Sequence, residues 1–342
     1  MQHEILKSTP LLDKEGNVFE PGYAKTLLPQ YKRSDIKANG LRIKEWDYYF
    51  AGNNHFGIAL TVADNSYMGL DSITFFNFDE KTEITSSFMK FFTFGKKNLP
   101  SSSSKGNIRV VDKRYIIEFT LKDNQRLLDF KVENFTEGQP LIGRLILSSA
   151  PKESMVIATP FDKPKHFYFN QKINCMRVEG TVTMAGKPYV FTPDSSFAVL
   201  DWGRGVWTYK NTWYWGSASG VVDGFSFGFN IGYGFGNTSA ATENMLIYNG
   251  LAHKLSAVTF NIPMKDGKED YLKTWNFSSD DGRFEMSFEP ILDRFSKTSL
   301  LILESDQHQV FGKFSGTAIL DDGKKIVIKD FLGFAEKVAN KW

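Results

Sequence analysis

Residues 225–236 read Phe225-Ser-Phe-Gly-Phe-Asn-Ile-Gly-Tyr-Gly-Phe-Gly236, with a large apolar side chain at every second position. Successive side chains of a β-strand point to opposite faces, so this pattern predicts a strand with one apolar face. The other face is mostly glycine, which indicates strong sheet curvature, a second layer lying flat on the strand, or a ligand cavity with a backbone floor. Asn230 is the one sizeable polar side chain on that face, and we predict that it binds substrate.

The same alternation recurs along the chain, for example in residues 115–121, 176–184 and 284–289. Such segments are typical of half-buried antiparallel strands. They are separated by residue pairs that favour tight hairpin turns, namely Asp123-Asn124, Asn249-Gly250, Asp281-Gly282 and Asp322-Gly323. The sequence therefore predicts an all-β protein of two tandem antiparallel β-barrels or half-barrels packed side by side.

The chain has 342 residues, more than one hydrophobic core usually organises. The alternation is weakest between Ala158 and Lys172, so we predict two domains, residues 1–165 and 166–342, the second with a tryptophan-rich motif. A short C-terminal helix is expected over residues 331–342, because its apolar residues would share one helical face. They are Phe331, Phe334, Ala335, Val338 and Trp342.

Composition excludes several classes of protein. The net charge is only +2, with scattered basic residues, so no nucleic-acid partner is expected. Cys175 is the single cysteine, and no apolar stretch is long enough to span a membrane or act as a signal peptide. We therefore predict a cytoplasmic protein. The five histidines are dispersed and no nucleotide-binding motif is present, so no metal and no organic cofactor is expected.

The most distinctive motif is Asp201-Trp-Gly-Arg-Gly-Val-Trp207, followed by Trp213-Tyr-Trp-Gly216. Tryptophan is seldom fully buried, and its N–H normally needs a partner. The motif predicts an aromatic pocket with a charged floor, and its predicted substrate-binding residues are Trp202, Arg204, Trp207, Trp213 and Trp215. Asp201 and Arg204 are predicted to form a close pair, with Gly203 at a backbone turn.

Asp201 and Glu243 are the candidate catalytic acids, because a carboxyl group beside tryptophans can have a raised pKa and exchange protons with a substrate. The alternatives are a structural ion pair for Asp201 and a solvated loop carboxylate for Glu243. Asn237 is a further candidate substrate-binding residue. The aromatic runs Trp46-Asp-Tyr-Tyr-Phe50, Phe75-Phe76 and Phe91-Phe92 are expected in the core of the first half.

These residues also carry a family resemblance. The tryptophan motif, Gly228-Phe-Asn-Ile-Gly-Tyr-Gly234, Glu243-Asn244 and the segment 333–342 resemble domain of unknown function 2804. More remotely the chain resembles the calycin-type proteins built of two lipocalin-like β-domains, which include carotenoid hydratases, tocopherol cyclase and Diels–Alder-type cyclases. That resemblance implies two lipocalin-like domains and a hydrophobic substrate handled without an organic cofactor.

Three functions remain open. The first is binding or transformation of a hydrophobic or amphipathic small molecule in a β-barrel cavity. The second is carbohydrate binding or cleavage by Asp201 and Glu243, because aromatic platforms suit sugar faces and two carboxyls flank the bond in glycosidases. The third is a non-catalytic structural or interaction module, if the tryptophans only fill the core.

Overall fold

The protein is built almost entirely of antiparallel strands. The computed structural model describes residues 2–300 and 303–341, and these residues contain no α-helix. Two single turns of 3-10 helix, Arg33–Asp35 and Gly40–Arg42, precede the first long strand. None of the helical segments within the described ranges is long and apolar enough to cross a membrane. The predicted all-β class is confirmed.

In the described part of the chain, thirteen strands form the first sheet. They are β1 (Gly22–Ala24), β2 (Ile43–Gly52), β3 (Phe56–Asp64), β4 (Met68–Asn77), β5 (Thr82–Phe91), β6 (Ile108–Asp112), β7 (Tyr115–Lys122), β8 (Gln125–Thr136), β9 (Gln139–Ser148), β10 (Met155–Pro160), β11 (Phe167–Met184), β12 (Lys187–Phe191) and β13 (Phe197–Val206). Their order is β5-β4-β3-β2-β13-β11-β9-β8-β7-β6, with β10 and β12 paired to β11 and with β1 paired to β10. β13 therefore lies between β2 and β11.

Nine described strands form the second sheet, in the order β17-β16-β15-β14-β24-β23-β22-β21-β18. They are β14 (Lys210–Val222), β15 (Phe225–Tyr233), β16 (Met245–Tyr248), β17 (Leu251–Lys254), β18 (Val258–Asn261), β21 (Trp275–Ser279), β22 (Phe284–Leu300), β23 (Leu303–Ile319) and β24 (Lys325–Lys341). A separate ribbon pairs β19 (Met264–Lys265) with β20 (Lys268–Glu269).

The four predicted hairpin turns are confirmed. Asp123-Asn124 joins β7 to β8 and Asn249-Gly250 joins β16 to β17, with positive φ at all four residues. Asp281-Gly282 lies between β21 and β22, and Asp322-Gly323 lies between β23 and β24. Turns with positive φ match the twist of paired strands, which explains the choice of Asn, Asp and Gly.

Each sheet curls so that one face forms its own core and the other face meets the second sheet. On β2, Tyr49 and Ala51 enter the core of the first sheet, whereas Tyr48 and Phe50 point to the interface between the sheets. There the ring centroids of Phe50 and Phe311 on β23 are 4.9 Å apart. The predicted pair of antiparallel half-barrels packed side by side is confirmed.

The C-terminal segment is a strand, so the predicted helix is wrong. β24 pairs with β14 on one side and with β23 on the other, and Trp342 lies outside the described residues. Phe334 and Val338 face the first sheet, whereas Ala335 enters the core of the second. Because both faces of this central strand are buried, its apolar residues imitate the spacing of a helix.

The strands change sheet between Val206 and Lys210. The predicted division at residues 165 and 166 lies between β10 and β11, which pair with each other in the first sheet. The division of the chain into domains 1–165 and 166–342 stays a prediction, and the change of sheet occurs later in the chain.

Candidate functional site

A cavity of about 220 Å³ lies between the two sheets rather than within either of them. Both sheets contribute to its walls because their interface faces meet there. Its lining residues are Trp46, Tyr48, Thr61, Ala63, Asn65, Tyr168, Lys172, Asp201, Trp207, Trp213, Trp215, Phe235, Glu243, Arg294, Ser305, Gln307, Gln309, Glu336, Val338 and Asn340.

Aromatic rings build one end of the cavity. The ring centroid of Trp207 lies 5.2 Å from that of Trp46, 5.7 Å from Trp213 and 4.8 Å from Phe235, all in edge-to-face geometry. Such edge contacts are the favoured arrangement of aromatic pairs. Trp207, Trp213 and Trp215 thus line the cavity, as predicted for an aromatic pocket.

A buried ion pair forms the charged floor. Lys172 on β11 and Asp201 on β13 are direct cross-strand neighbours, and Lys172 Nζ lies 2.8 Å from Asp201 Oδ2. Asn170 Nδ2 donates to the other oxygen, Oδ1, at 2.6 Å. The ammonium also lies 3.7 Å from the ring centroid of Trp215, a cation–π contact. Both oxygens of Asp201 are therefore bonded, and its charge balances that of Lys172.

Glu336 on β24 is a buried acid in the cavity wall. Its Oε1 accepts a hydrogen bond of 2.8 Å from Trp213 Nε1, and its Oε2 accepts one of 3.1 Å from Gln309 Nε2. Burial raises the pKa of Glu336 to about 7, although the Trp213 hydrogen bond and the charge of Lys172 favour its ionised form. This side chain can therefore hold or release a proton near neutral pH.

Glu243 is a second buried acid of the cavity lining. Burial raises its pKa, while the charge of Lys172 opposes the rise. Within the described residues its Oε2 has no hydrogen-bond partner. A Cβ at Gly232 would stand 2.8 Å from Glu243 Oε1, so the carboxyl group lies directly against this glycine of β15. Close approach to the carboxyl explains one glycine of the glycine-rich face.

Asn230 supports the cavity wall from behind. Its Oδ1 accepts from Trp215 Nε1 at 2.7 Å, and its Nδ2 donates to the carbonyl of Glu243 at 2.7 Å. Asn230 is fully buried and is not part of the cavity lining. In the structure it positions Trp215 and the chain at Glu243, and its predicted contact with substrate stays a prediction.

Asp201 and Arg204 lie on opposite faces of β13, so the predicted pair between them is wrong. Residues three apart on a strand point to opposite sides. Arg204 donates to Asp47 Oδ1 at 3.0 Å and to the carbonyl of Trp46 at 2.7 Å, and its guanidinium lies 4.3 Å from the ring centroid of Trp202. Arg204 is fully buried on the side of β13 away from the cavity.

Trp202 and Asn237, two further predicted substrate-binding residues, are not part of the cavity lining. Trp202 is fully buried in the core of the first sheet, with its ring centroid 5.5 Å from that of Phe169. Asn237 Nδ2 donates to Asp162 at 3.1 Å at the surface. The structure thus brings together Asp201, Glu243 and three of the four predicted tryptophans.

Gly203 is inside β13 and not at a turn, which corrects the prediction for this residue. It lies on the same face of the strand as Asp201. A Cβ at this position would stand 1.9 Å from Cζ2 of Trp46, so the indole packs directly on the glycine backbone. The glycine makes room for a ring of the cavity wall.

Most residues of the cavity lining are not predicted as site residues from the sequence, among them Trp46, which is expected in the core, Lys172 and Glu336. The alternation of side chains along a strand is the sequence feature that could have indicated Lys172 and Glu336. Lys172 shares a strand face with Tyr168 and Asn170, and a lysine on such a buried face indicates a buried ion pair. Glu336 shares a face with Phe334, but the helical interpretation of this segment hides that relation.

The described residues include no group of three or more His, Cys, Asp or Glu side chains placed to hold a metal ion. What the site offers is two buried carboxyl groups, one ion pair and an aromatic wall. This arrangement can enclose the apolar part of a small molecule and exchange a proton with that molecule.

Fold and site together define a protein of two half-barrel sheets with an aromatic cavity between them. The chain belongs to the family described as Domain of unknown function (DUF2804), whose model matches residues 2–342. A search of the curated proteins finds no match to the sequence.

Two solved structures are similar to almost the whole chain. The AttH candidate of Nitrosomonas europaea superimposes with a TM-score of 0.55 at 10% identity, over 93% of this chain and 98% of that one. Kievitone hydratase from Nectria haematococca gives a TM-score of 0.49 at 11% identity, over 98% of each chain. The first similarity shows a shared fold, and the second is too low to support an argument.

Proposed function

We propose that the protein binds a small amphipathic molecule in the cavity between the sheets and exchanges a proton with it through Glu336. The observation that carries the proposal is a carboxyl group with a pKa of about 7, buried in an aromatic wall. General acids and bases work best when their pKa lies near the working pH. Proton transfer is chemistry that the side chains of this chain supply themselves.

The volume of the cavity limits the size of the ligand. An engineered cavity of 150 Å³ holds one benzene molecule, and the present cavity measures about 220 Å³. By this comparison the ligand is a substituted single ring, or a branched chain, of roughly nine non-hydrogen atoms. The aromatic end around Trp207 suits the apolar part of such a molecule.

The opposite end of the cavity is polar. Arg294 on β22 lines it and donates to Gln309 Oε1 at 3.3 Å, and Ser305, Gln307 and Asn340 are further lining residues. An acidic or hydrogen-bond-accepting group of the ligand fits this end, because the guanidinium retains donors for it. We therefore propose an aromatic or isoprenoid-like body with one polar group.

In the proposed step the proton leaves a carboxyl oxygen of neutral Glu336 and binds a carbon or oxygen atom of the ligand. The resulting carboxylate keeps its hydrogen bond from Trp213 and is stabilised by the positive charge of Lys172. Both interactions favour the ionised form and so lower the barrier to proton release. Glu243 is the second proton carrier, and Asp201 holds Lys172 in place.

The test is a fluorescence titration with hydrocinnamate and with phenylpropanol, two probes close to the expected size that differ in their polar group. Four of the seven tryptophans line the cavity, so binding should change the emission. Trp207→Phe should reduce the change, whereas Trp275→Phe, in the core of the second sheet, is the matched control and should preserve it. Arg294→Met should weaken the binding of hydrocinnamate more than that of phenylpropanol.

Glucose and cellobiose form the third arm of the titration. A response to the sugars alone would support the carbohydrate alternative and contradict the proposal. No response to any probe would favour the non-catalytic module. A ketone of similar size, phenylacetone, tests proton transfer itself, because the C–H groups beside its carbonyl exchange only slowly without a catalyst. Solvent deuterium incorporation at those positions, lost in Glu336→Gln while binding persists, would separate proton transfer from binding alone.

A further inference from the structure

Four apolar side chains are exposed together at and after the end of β5. Met89, Phe91, Phe92 and Phe94 are 58%, 69%, 64% and 45% exposed. The ring centroids of Phe91 and Phe92 are 6.4 Å apart, and those of Phe92 and Phe94 are 6.2 Å apart. The expectation that Phe91 and Phe92 fill the core is therefore wrong. A contiguous exposed apolar patch marks an interaction surface.

The backbone holds these rings on the surface. Thr93, between them, is buried, and its hydroxyl donates to Asp64 Oδ1 at 2.8 Å, while the N–H of Gly95 donates to Asp64 Oδ2 at 2.9 Å. Phe92 and Phe94 have φ values of +58° and +46°. This left-handed conformation is costly for a bulky residue. Two phenylalanines at such positions indicate that the rings themselves serve a purpose.

The loop borders the cavity between the sheets. The N–H groups of Phe92 and Phe94 donate to the carbonyls of Tyr67 and Ser66 at 2.8 Å and 2.9 Å. The preceding residue, Asn65, lines the cavity. The exposed rings are thus attached to the turn that forms one edge of the ligand site.

Two more exposed apolar residues lie beside the same cavity. Leu41 and Tyr209 are 44% and 45% exposed, and Arg42 Nε donates to the carbonyl of Trp207, a cavity residue, at 2.9 Å. Arg42 is within electrostatic reach of both Tyr67 and Tyr209. Met89, Phe91, Phe92, Phe94, Leu41 and Tyr209 are together called the apolar rim.

The charge of the loop is positive. Residues 89–97 contain three lysines and no acidic residue. Lys97 pairs with Asp71 at 2.5 Å. Lys90 points to the face of β5 opposite Met89 and Phe91, with its Nζ 5.9 Å from the ring centroid of Tyr115. Lys96 is exposed. An exposed lysine next to exposed aromatic rings complements a surface that is apolar inside and negatively charged outside. An anionic lipid bilayer has that arrangement.

We infer that the apolar rim docks on the surface of an anionic lipid membrane. The phenylalanine rings enter the boundary between head groups and acyl chains, and Lys96 faces the anionic head groups. Docking places the edge of the cavity at Asn65 against the membrane. A hydrophobic ligand dissolved in the bilayer then reaches the site directly. This route rests on the proposed function, but the docking itself does not.

The test is co-sedimentation of the full chain with two kinds of vesicle, phosphatidylcholine alone and equal parts of phosphatidylcholine and phosphatidylserine. We expect binding to the anionic vesicles that weakens with added salt. Phe92→Asn/Phe94→Asn should reduce the partition coefficient by at least about tenfold, because it removes two inserted rings. Lys96→Gln should reduce it about fivefold. Lys90→Gln, on the face of β5 opposite the exposed rings, should reduce it clearly less.

Asparagine tolerates the left-handed backbone, so the double variant should unfold at the same or a higher temperature than the parent. Phe225→Asn is the matched control, since Phe225 is 44% exposed at the start of β15 and lies away from the apolar rim. It should leave vesicle binding unchanged.

Equal vesicle binding by parent and double variant, or no binding by the parent, would overturn the inference. So would concentration-dependent dimerisation that the double variant abolishes, because the patch would then serve a second copy of the chain. Titration of hydrocinnamate without lipid decides the proposed function separately. A parent that binds the probe but no vesicle refutes only the docking.

Discussion

Replacing Glu336 by glutamine should remove part of the pH dependence of stability. Burial raises the pKa of Glu336 from its ordinary value of 4.5 to about 7. The neutral form therefore favours the folded state, and this contribution is fully present below the unfolded pKa. It is lost as the pH rises through the folded pKa. The glutamine side chain is uncharged at every pH, so the Glu336→Gln variant should keep this contribution to stability as the pH rises.

The magnitude follows from the two pKa values, about 7 and 4.5. Each pH unit between them is worth about 1.4 kcal/mol. Between about pH 5 and about pH 8 the wild type should thus lose about 2–3 kcal/mol relative to Glu336→Gln. The carboxyl is almost fully buried, with the residue 5% exposed, so solvent screening reduces this value little.

The assay is urea unfolding of both proteins at several pH values, with the free energy of unfolding compared at each. Glu269→Gln is a control of opposite sign. Burial disfavours the ionised form of Glu269, but hydrogen bonds from Lys337 and Tyr271 lower its pKa overall. That variant should lose stability relative to the wild type as the pH rises. A constant difference between wild type and Glu336→Gln would refute the reasoning.

Two further predictions concern the floor and wall of the cavity. Lys172→Met or Asp201→Asn should each lower the free energy of unfolding by about 3–5 kcal/mol, because each leaves a buried charge unpaired. In urea unfolding the double variant should lose clearly less than the two single losses together, and strict additivity would contradict the pair. Gly203→Ala should displace the ring of Trp46 and cost about 1–3 kcal/mol. It should also weaken the fluorescence response to hydrocinnamate, and an unchanged response would contradict the contact.

The fold class could be predicted because its signals are local. Alternation along one strand and a turn pair such as Asn249-Gly250 are each contained in a few residues. The error at β24 has the opposite origin. Phe334 and Ala335 are both buried although they lie on opposite faces of β24. Phe334 packs at the interface with the first sheet, and Ala335 packs in the core of the second sheet. Only the neighbours of a strand reveal this, and they are distant in sequence.

The sequence alone contains enough information to reject the predicted pair of Asp201 and Arg204. If residues 201–206 form a strand, alternation already separates Asp201 from Trp202 and Arg204. The true partner of Asp201, Lys172, could not be predicted in this way. Lys172 meets it through the register of β11 against β13, and no local pattern fixes that register. Glu336 comes from the last strand of the chain and reaches Trp213 through the pairing of β24 with β14.

The side chains that pack against the glycines of the tryptophan-rich region explain why glycine is needed there. The sequence of β15 is compatible with sheet curvature, a second layer or a cavity floor at its glycine face. Asn174 of the first sheet donates to the carbonyl of Phe229 at 3.0 Å, so a second layer does lie against this strand. At Gly203 and Gly232 the space is filled by Trp46 and Glu243, both cavity residues. Glycines on the interface faces thus admit large side chains from neighbouring segments, and those side chains form the walls of the cavity.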